Sequence, residues 1–241
     1  RSRRWTTNLG LFALDTALVR LAVPLLMIGT AQLAEVRGWG LFNQLALPFW
    51  LELLLVLALL DLALFLQHWA THRVPLLWRL HQVHHADPDF DVTTAARFHP
   101  LEIALSMLYK MAVVAALGPT ALTVFVFEVV FVAATVFVHA NLSLPPALDR
   151  SARSAIVTPD MHRIHHSTLQ RETNSNFGTM LSGWDRLFGT YRDRAQAGQD
   201  GLTIGLAEYQ DRRPLGLWWS LVLPFRHRAR LADKAKGPQS G

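Results

Sequence analysis

The run ALPFWLELLLVLALLDLALFL, residues 46–66, constrains this chain more than any other stretch. It carries only Glu52 and Asp61 as charged groups. A helix rises about 1.5 Å per residue, so about 20 apolar residues cross the roughly 30 Å hydrocarbon core of a bilayer. No water is available there to satisfy peptide N–H and C=O groups, so a crossing segment of this kind closes its hydrogen bonds internally as a helix. Three further apolar stretches follow the same logic: Leu9 to Gly29, which holds Asp15, Arg20 and Pro24; Glu102 to Leu117, with Lys110; and Thr120 to Val138, with Glu128. Gly118 and Pro119 part the last two, which reads as a helical hairpin with a tight turn. The chain is 17% charged and 51% hydrophobic, against about 25% charged for a soluble domain. The expected architecture is all-α and integral to the membrane, with about four transmembrane helices in one domain over residues 1–241.

Charge then sets the expected orientation. Residues 139–241 hold 14 Lys and Arg, residues 68–101 hold three and the N-terminal arm three, while the loop between the first two spans holds only Arg37. Basic residues collect on the cytoplasmic side, so four spans with both termini cytoplasmic satisfy the bias. The same reading accounts for the net charge of +5 without nucleic acid, because the basic residues are not interleaved with stacking aromatics. The basic start RSRRW has no small-residue cleavage site after it and reads as the lead into a retained helix. There is no cysteine, which removes disulfides, thiolate zinc sites and iron–sulfur clusters. From Leu142 the chain turns polar. PLGLWWSLVLPF at 214–225 is too short to span and reads as an interfacial element with two tryptophans. The last 15 residues, including His227 among arginines, read as a basic tail.

Histidine is placed unlike any other residue here. Six of the 11 histidines form two copies of H-x-x-H-H, at His81, His84, His85 and at His162, His165, His166. His68 and His72 add an H-x-x-x-H at the end of the second span. One H-x-x-H-H is expected by chance about 0.02 times in such a chain. Positions i, i+3 and i+4 share a helix face, so each motif is expected to turn several imidazoles toward one place. Eight imidazoles are too many for one ion, which about four to six ligands saturate, so two ions are implied; imidazole suits iron, zinc, copper and nickel. The zinc-hydrolase signature H-E-x-x-H is absent. A histidine-rich pair of ions beside a bilayer suits oxygen activation against a greasy substrate. A zinc-dependent membrane metallohydrolase and a non-enzymatic metal transporter are the alternatives.

Other residues extend the pattern. Asp61 stands seven positions before His68; RFHPLE spans 97–102, FVHAN 137–141, TPDMHRIHHS 158–167, and NFG with WDRLFGTY lies within 176–191. Together these motifs, over residues 45–192, resemble the fatty acid hydroxylase/sterol desaturase superfamily of integral-membrane di-iron oxygenases. The resemblance implies a cytoplasmic histidine-rich helical cap and two irons held by His68, His72, His81, His84, His85, His162, His165 and His166, with His139 as a ninth ligand. A further histidine of some members is Ser143 here, so His99 either completes the shell or braces the site. Asp61 is expected to accept a ligand N–H, with Glu102 and Asn141 in similar supporting roles and Trp184 and Asp185 shaping the cap. The implied reaction is O2-dependent hydroxylation or desaturation of a fatty acyl, sterol or related lipid at the cytoplasmic face. Electrons are expected from a separate ferredoxin- or cytochrome-type donor, and zinc is expected to displace iron in some purified samples.

Overall fold

The computed structural model describes residues 2–22 and 26–226. Pro24, His227 and the basic tail lie outside the described residues. Among the described residues eleven α-helices follow in order: α1 Ser2–Ala22, α2 Leu26–Arg37, α3 Phe49–Arg73, α4 Pro75–His85, α5 Pro100–Leu117, α6 Ala121–Val138, α7 Pro146–Ala152, α8 Pro159–His165, α9 Gln170–Thr173, α10 Gly183–Leu187 and α11 Leu217–Val222. Among the described residues the only β pairing is two isolated bridges, Ile156 with Leu181 and Ser167 with Ile204. Four segments are long and apolar enough to cross a membrane: Ser2–Gln44, α3, α5 and α6. The first contains the expected Leu9–Gly29 and runs past it at both ends.

The helix ends follow from their residues. Pro75, Pro100 and Pro159 each open a helix, where a missing N–H costs nothing. Gly118 ends α5 with φ 63°, in the left-handed region. Thr120 then caps α6, its hydroxyl accepting from Thr123 N at 3.3 Å. A Cβ on Gly118 would stand 2.2 Å from Trp39 O, so only glycine lets the α5–α6 turn meet the end of α2. Glu52 fastens the same end from α3: its Oε1 accepts from Thr120 N at 2.8 Å.

α2, α3, α5 and α6 pack around Met27, Ala31, Val56, Leu60, Val114, Val124 and Phe127, all buried. Their outer faces stay apolar, with Trp50, Leu54, Phe125 and Val129 each more than half exposed. Such a greasy outside is a liability in water and the expected surface against lipid.

A second cluster joins α1 and α4 to the C-terminal segment through Leu11, Val83, Ala86, Leu206, Trp219 and Leu223. The two tryptophans of the expected interfacial element therefore divide. Trp219 is buried in this cluster, whereas Trp218 points outward at 75% exposure.

Buried polar ties lock α1 to the rim of the histidine region. Arg4 pairs with Asp87 at 2.9 Å and also with Asp91. Asn8 donates to Asp87 at 3.0 Å. Arg97, with no exposed surface, donates to Val83 O, Asn8 Oδ1, Pro214 O and Ser220 Oγ. One guanidinium thus fixes α4, α1 and the C-terminal segment together.

Candidate metal centre

The histidines of α3, α4 and α8 converge with His139, which follows α6. They separate into two sets. His68, His72, His81, His85 and His165 form one; His84, His139, His162 and His166 form the other. In each set, one nitrogen per residue lies within 4.8 Å of all the others.

The division explains the H-x-x-H-H spacing. At about 100° per residue, i+4 returns to about 40° from i, while i+3 falls about 60° to the other side. In α4, His81 and His85 therefore serve the first set and His84 the second. In α8 the roles reverse: His162 and His166 serve the second set and His165 the first. Each helix thus lends one imidazole across to the other set, and the two sets share a wall where His85 and His166 stack at 4.6 Å. The expectation that each motif turns its three rings to one place holds for the centre as a whole. It does not hold for the individual sets.

Five of these rings are oriented by a hydrogen bond from Nδ1. His68 donates to Phe177 O at 2.7 Å, His81 to Glu102 Oε1 at 2.6 Å, and His84 to Arg97 O at 3.2 Å. His139 donates to Thr135 O at 2.8 Å and His165 to Ser175 O at 2.8 Å. Binding the proton on Nδ1 leaves a lone pair on Nε2, the tautomer a metal ligand needs. The Nε2 atoms of His68, His81 and His165 are buried with no hydrogen-bond partner among the described residues, as are both nitrogens of His72, His85 and His166. In the second set, His139 Nε2 lies 3.1 Å from His162 Nε2 and 3.5 Å from His84 Nε2. An unsatisfied buried polar atom costs about 1–3 kcal/mol. So many lone pairs facing one another fit a bound cation and fit poorly with anything else.

Charge on the rings is suppressed. Burial first, then neighbouring histidines, holds His84, His85, His162 and His166 well below the usual imidazole value. Burial takes His139 down to about 4 and His165 to about 3, against the hydrogen bonds each makes. These six rings are neutral at physiological pH, the form that ligates.

The segment after α9 acts as a scaffold for two of these bonds. Ser175 O and Phe177 O hold His165 and His68, and Asn176 sits between them with φ 53°. Asparagine tolerates that left-handed backbone. Its amide donates to Met161 O and Arg192 O and accepts from Arg192 N, fixing both neighbours. Asp185 accepts from Phe177 N, Gly178 N and Thr190 Oγ1. A Cβ on Gly178 would stand 2.9 Å from Asp185 Oδ2.

Asp61 and Asn141 make contacts other than the expected ones, and His99 follows the bracing alternative. Asp61 does not meet a histidine: its Oδ2 accepts from Leu181 N at 3.0 Å and Trp184 Nε1 at 2.9 Å, tying α3 to the scaffold. His99 belongs to neither set. Its Nδ1 accepts from Leu101 N, capping α5, and its Nε2 faces Leu221 O at 3.1 Å. Asn141 is exposed and accepts from Arg163 rather than from a ligand histidine. Glu102 does what was expected of it, through His81. The carbonyl acceptors at Arg97, Thr135, Ser175 and Phe177 were missed; a backbone oxygen carries no signature in the sequence.

A cavity of about 700 Å³ opens against the centre. His68, His81, His84, His139 and His162 line it at one end, and Leu64, Ile103, Met107, Phe131 and Val132 continue it between the long helices. Its size lies within the range of small-molecule pockets, about 300–1,000 Å³.

The family model described as Fatty acid hydroxylase matches residues 53–190. An ornithine lipid hydroxylase of Rhizobium tropici is 28% identical, over 80% of this chain and 56% of its own. An alkylglycerol monooxygenase of Danio rerio is 26% identical, over 78% of this chain and 42% of its own. A human cholesterol 25-hydroxylase is 28% identical, over 58% and 51%. The chain spans about half the length of these curated relatives. No solved structure matches it.

Proposed function

The chain belongs to the fatty acid hydroxylase family, and from that premise we propose that it is a membrane monooxygenase. In this reading it uses O2 and two irons to oxidise an aliphatic carbon of a lipid. The observation that carries the reading is the pair of all-histidine sets at the end of an apolar cavity within an integral membrane protein. The relatives named above act on lipids or sterols, and the proposed substrate is of that class.

When bound, the irons supply what no side chain can, activation of O2 against an unreactive C–H bond. The rest falls to the protein. His68, His72, His81, His85 and His165 would hold one ion, and His84, His139, His162 and His166 the other. Glu102 and the four carbonyls keep each oriented ring on its Nδ1–H tautomer, so Nε2 stays available. Leu64, Ile103, Phe131 and Val132 bind the alkyl chain and exclude water, which both aligns one carbon and shields the reaction. Neither set contains a carboxylate, which disfavours a zinc hydrolase needing a general base at the ion. In this reading the basic residues of the loops put both termini and the histidine centre on the cytoplasmic side, and a separate ferredoxin- or cytochrome-type donor supplies electrons there.

The test compares lipid extracts of cells expressing the intact chain with cells expressing His84→Ala. A lipid that gains one oxygen, or loses two hydrogens, only with the intact chain is the expected result. Identical lipid profiles, with both proteins present in the membrane, would refute the activity.

A further inference from the structure

The cavity is not apolar throughout. Asp15 on α1 forms part of its wall and is only 5% exposed. Its Oδ1 is buried and meets no hydrogen-bond partner among the described residues. Among those residues no Lys or Arg forms an ion pair with it either. A carboxyl inside a membrane segment is costly and calls for a partner. Thr16, Gln67, Ser106 and Lys110 also line the cavity, and Ser106 Oγ donates to Gln67 Oε1 at 3.3 Å, so that pair is already occupied.

The depth of Asp15 follows from its helix. Asp15 is seven residues along α1 from Asn8, about 10 Å of rise. Asn8 is bonded to Asp87, two residues past His85. Asp15 and Glu102 line the same cavity wall as His68 and His81, and Glu102 holds His81. The unpartnered carboxyl therefore shares one cavity with the histidine centre.

We infer that Asp15 accepts a hydrogen bond from the head of the substrate, a hydroxyl or an ammonium group. The substrate is then an amphiphile whose head enters the cavity, and the carbon oxidised lies near that head rather than at the far end of the chain. This rests on the reading of the cavity as the lipid site. A pure hydrocarbon tail would leave Asp15 buried and unpaired, which is the condition under which a polar site rejects a ligand most strongly.

The measurement is binding, which needs no turnover. Metal-loaded protein in detergent is titrated with hexadecan-1-ol, hexadecylamine and 1-methoxyhexadecane, the last able only to accept hydrogen bonds. The alcohol or the amine is expected to bind at least about tenfold more tightly than the ether. Asp15→Leu brings the three affinities together, and Asp15→Asn keeps a preference for the alcohol while losing one for the amine. Equal binding of all three by the unaltered protein would overturn the inference even if no variant folds, and so would an intact preference in Asp15→Leu. Equal binding alongside O2-dependent lipid oxidation would remove Asp15 and leave the monooxygenase reading standing. A donor preference without any oxidised product would do the opposite.

Discussion

An imidazole becomes a ligand when its other nitrogen is tied down, and the residues that do the tying can be tested one at a time. Glu102 accepts from His81 Nδ1 through a carboxyl oxygen at 2.6 Å. Glu102→Gln keeps an acceptor and loses the charge; partners of this kind are worth about 10–100-fold in metal affinity. Competition with a chelator is expected to show a loss within that range, and unchanged affinity would detach Glu102 from the centre. His99→Ala tests the opposite assignment. Because His99 caps α5 and touches neither set, its loss is expected to cost about 1 kcal/mol of stability, as a lost cap does. Metal content is expected to stay unchanged; a lost ion would return His99 to the ligands. The sequence pointed to the histidines that converge, because their spacing is local to one helix. It did not show how they divide, because that depends on where the facing helix sits. His99 shows the limit: its Nε2 is claimed by Leu221 O, 122 positions away.

Elements hold these residues in register. Gly118 adopts φ 63° and touches Trp39 O. Gly118→Ala is expected to destabilise the α5–α6 hairpin by more than the 1–2 kcal/mol of the left-handed backbone alone, read as a lower unfolding midpoint in detergent. Wild-type stability would mean the turn is looser than described. Asp185 is the corresponding element-scale anchor on the scaffold, with burial raising its carboxyl above the usual range against the bonds it accepts. Asp185→Ala frees Phe177 N and Gly178 N, and hydrogen bonds to a charged group are worth about 1.5–3 kcal/mol each. The expected result is a loss of stability together with weakened metal binding through His68; a stability loss with full metal affinity would separate the scaffold from the centre. Helices α3, α5 and α6 were legible from hydropathy and from the Gly118–Pro119 break. Asp61 was legible as a residue needing a partner because a carboxylate there is costly, yet its partners come from residues 181 and 184, beyond any helical periodicity.

For the whole molecule, the account requires the histidine end of the helices to share one side of the membrane with α7 to α11. The chain has no cysteine, so single cysteines report topology cleanly. Ser151→Cys is expected to react with a membrane-impermeant maleimide only after permeabilisation of cells, and Arg37→Cys before it. The reverse pattern would invert the proposed orientation. The two histidine sets draw on α3, α4, α6 and α8, so a bound ion links elements that are otherwise distant in the chain and adds stability by mass action. The most direct measurement is the number of iron ions per chain in protein prepared from iron-supplemented cells, for the unaltered protein and for His72→Ala and His139→Ala, one residue from each set. The account predicts about two ions in the unaltered protein and about one in each variant; a single ion or none in the unaltered protein, or the same count in all three, would contradict it.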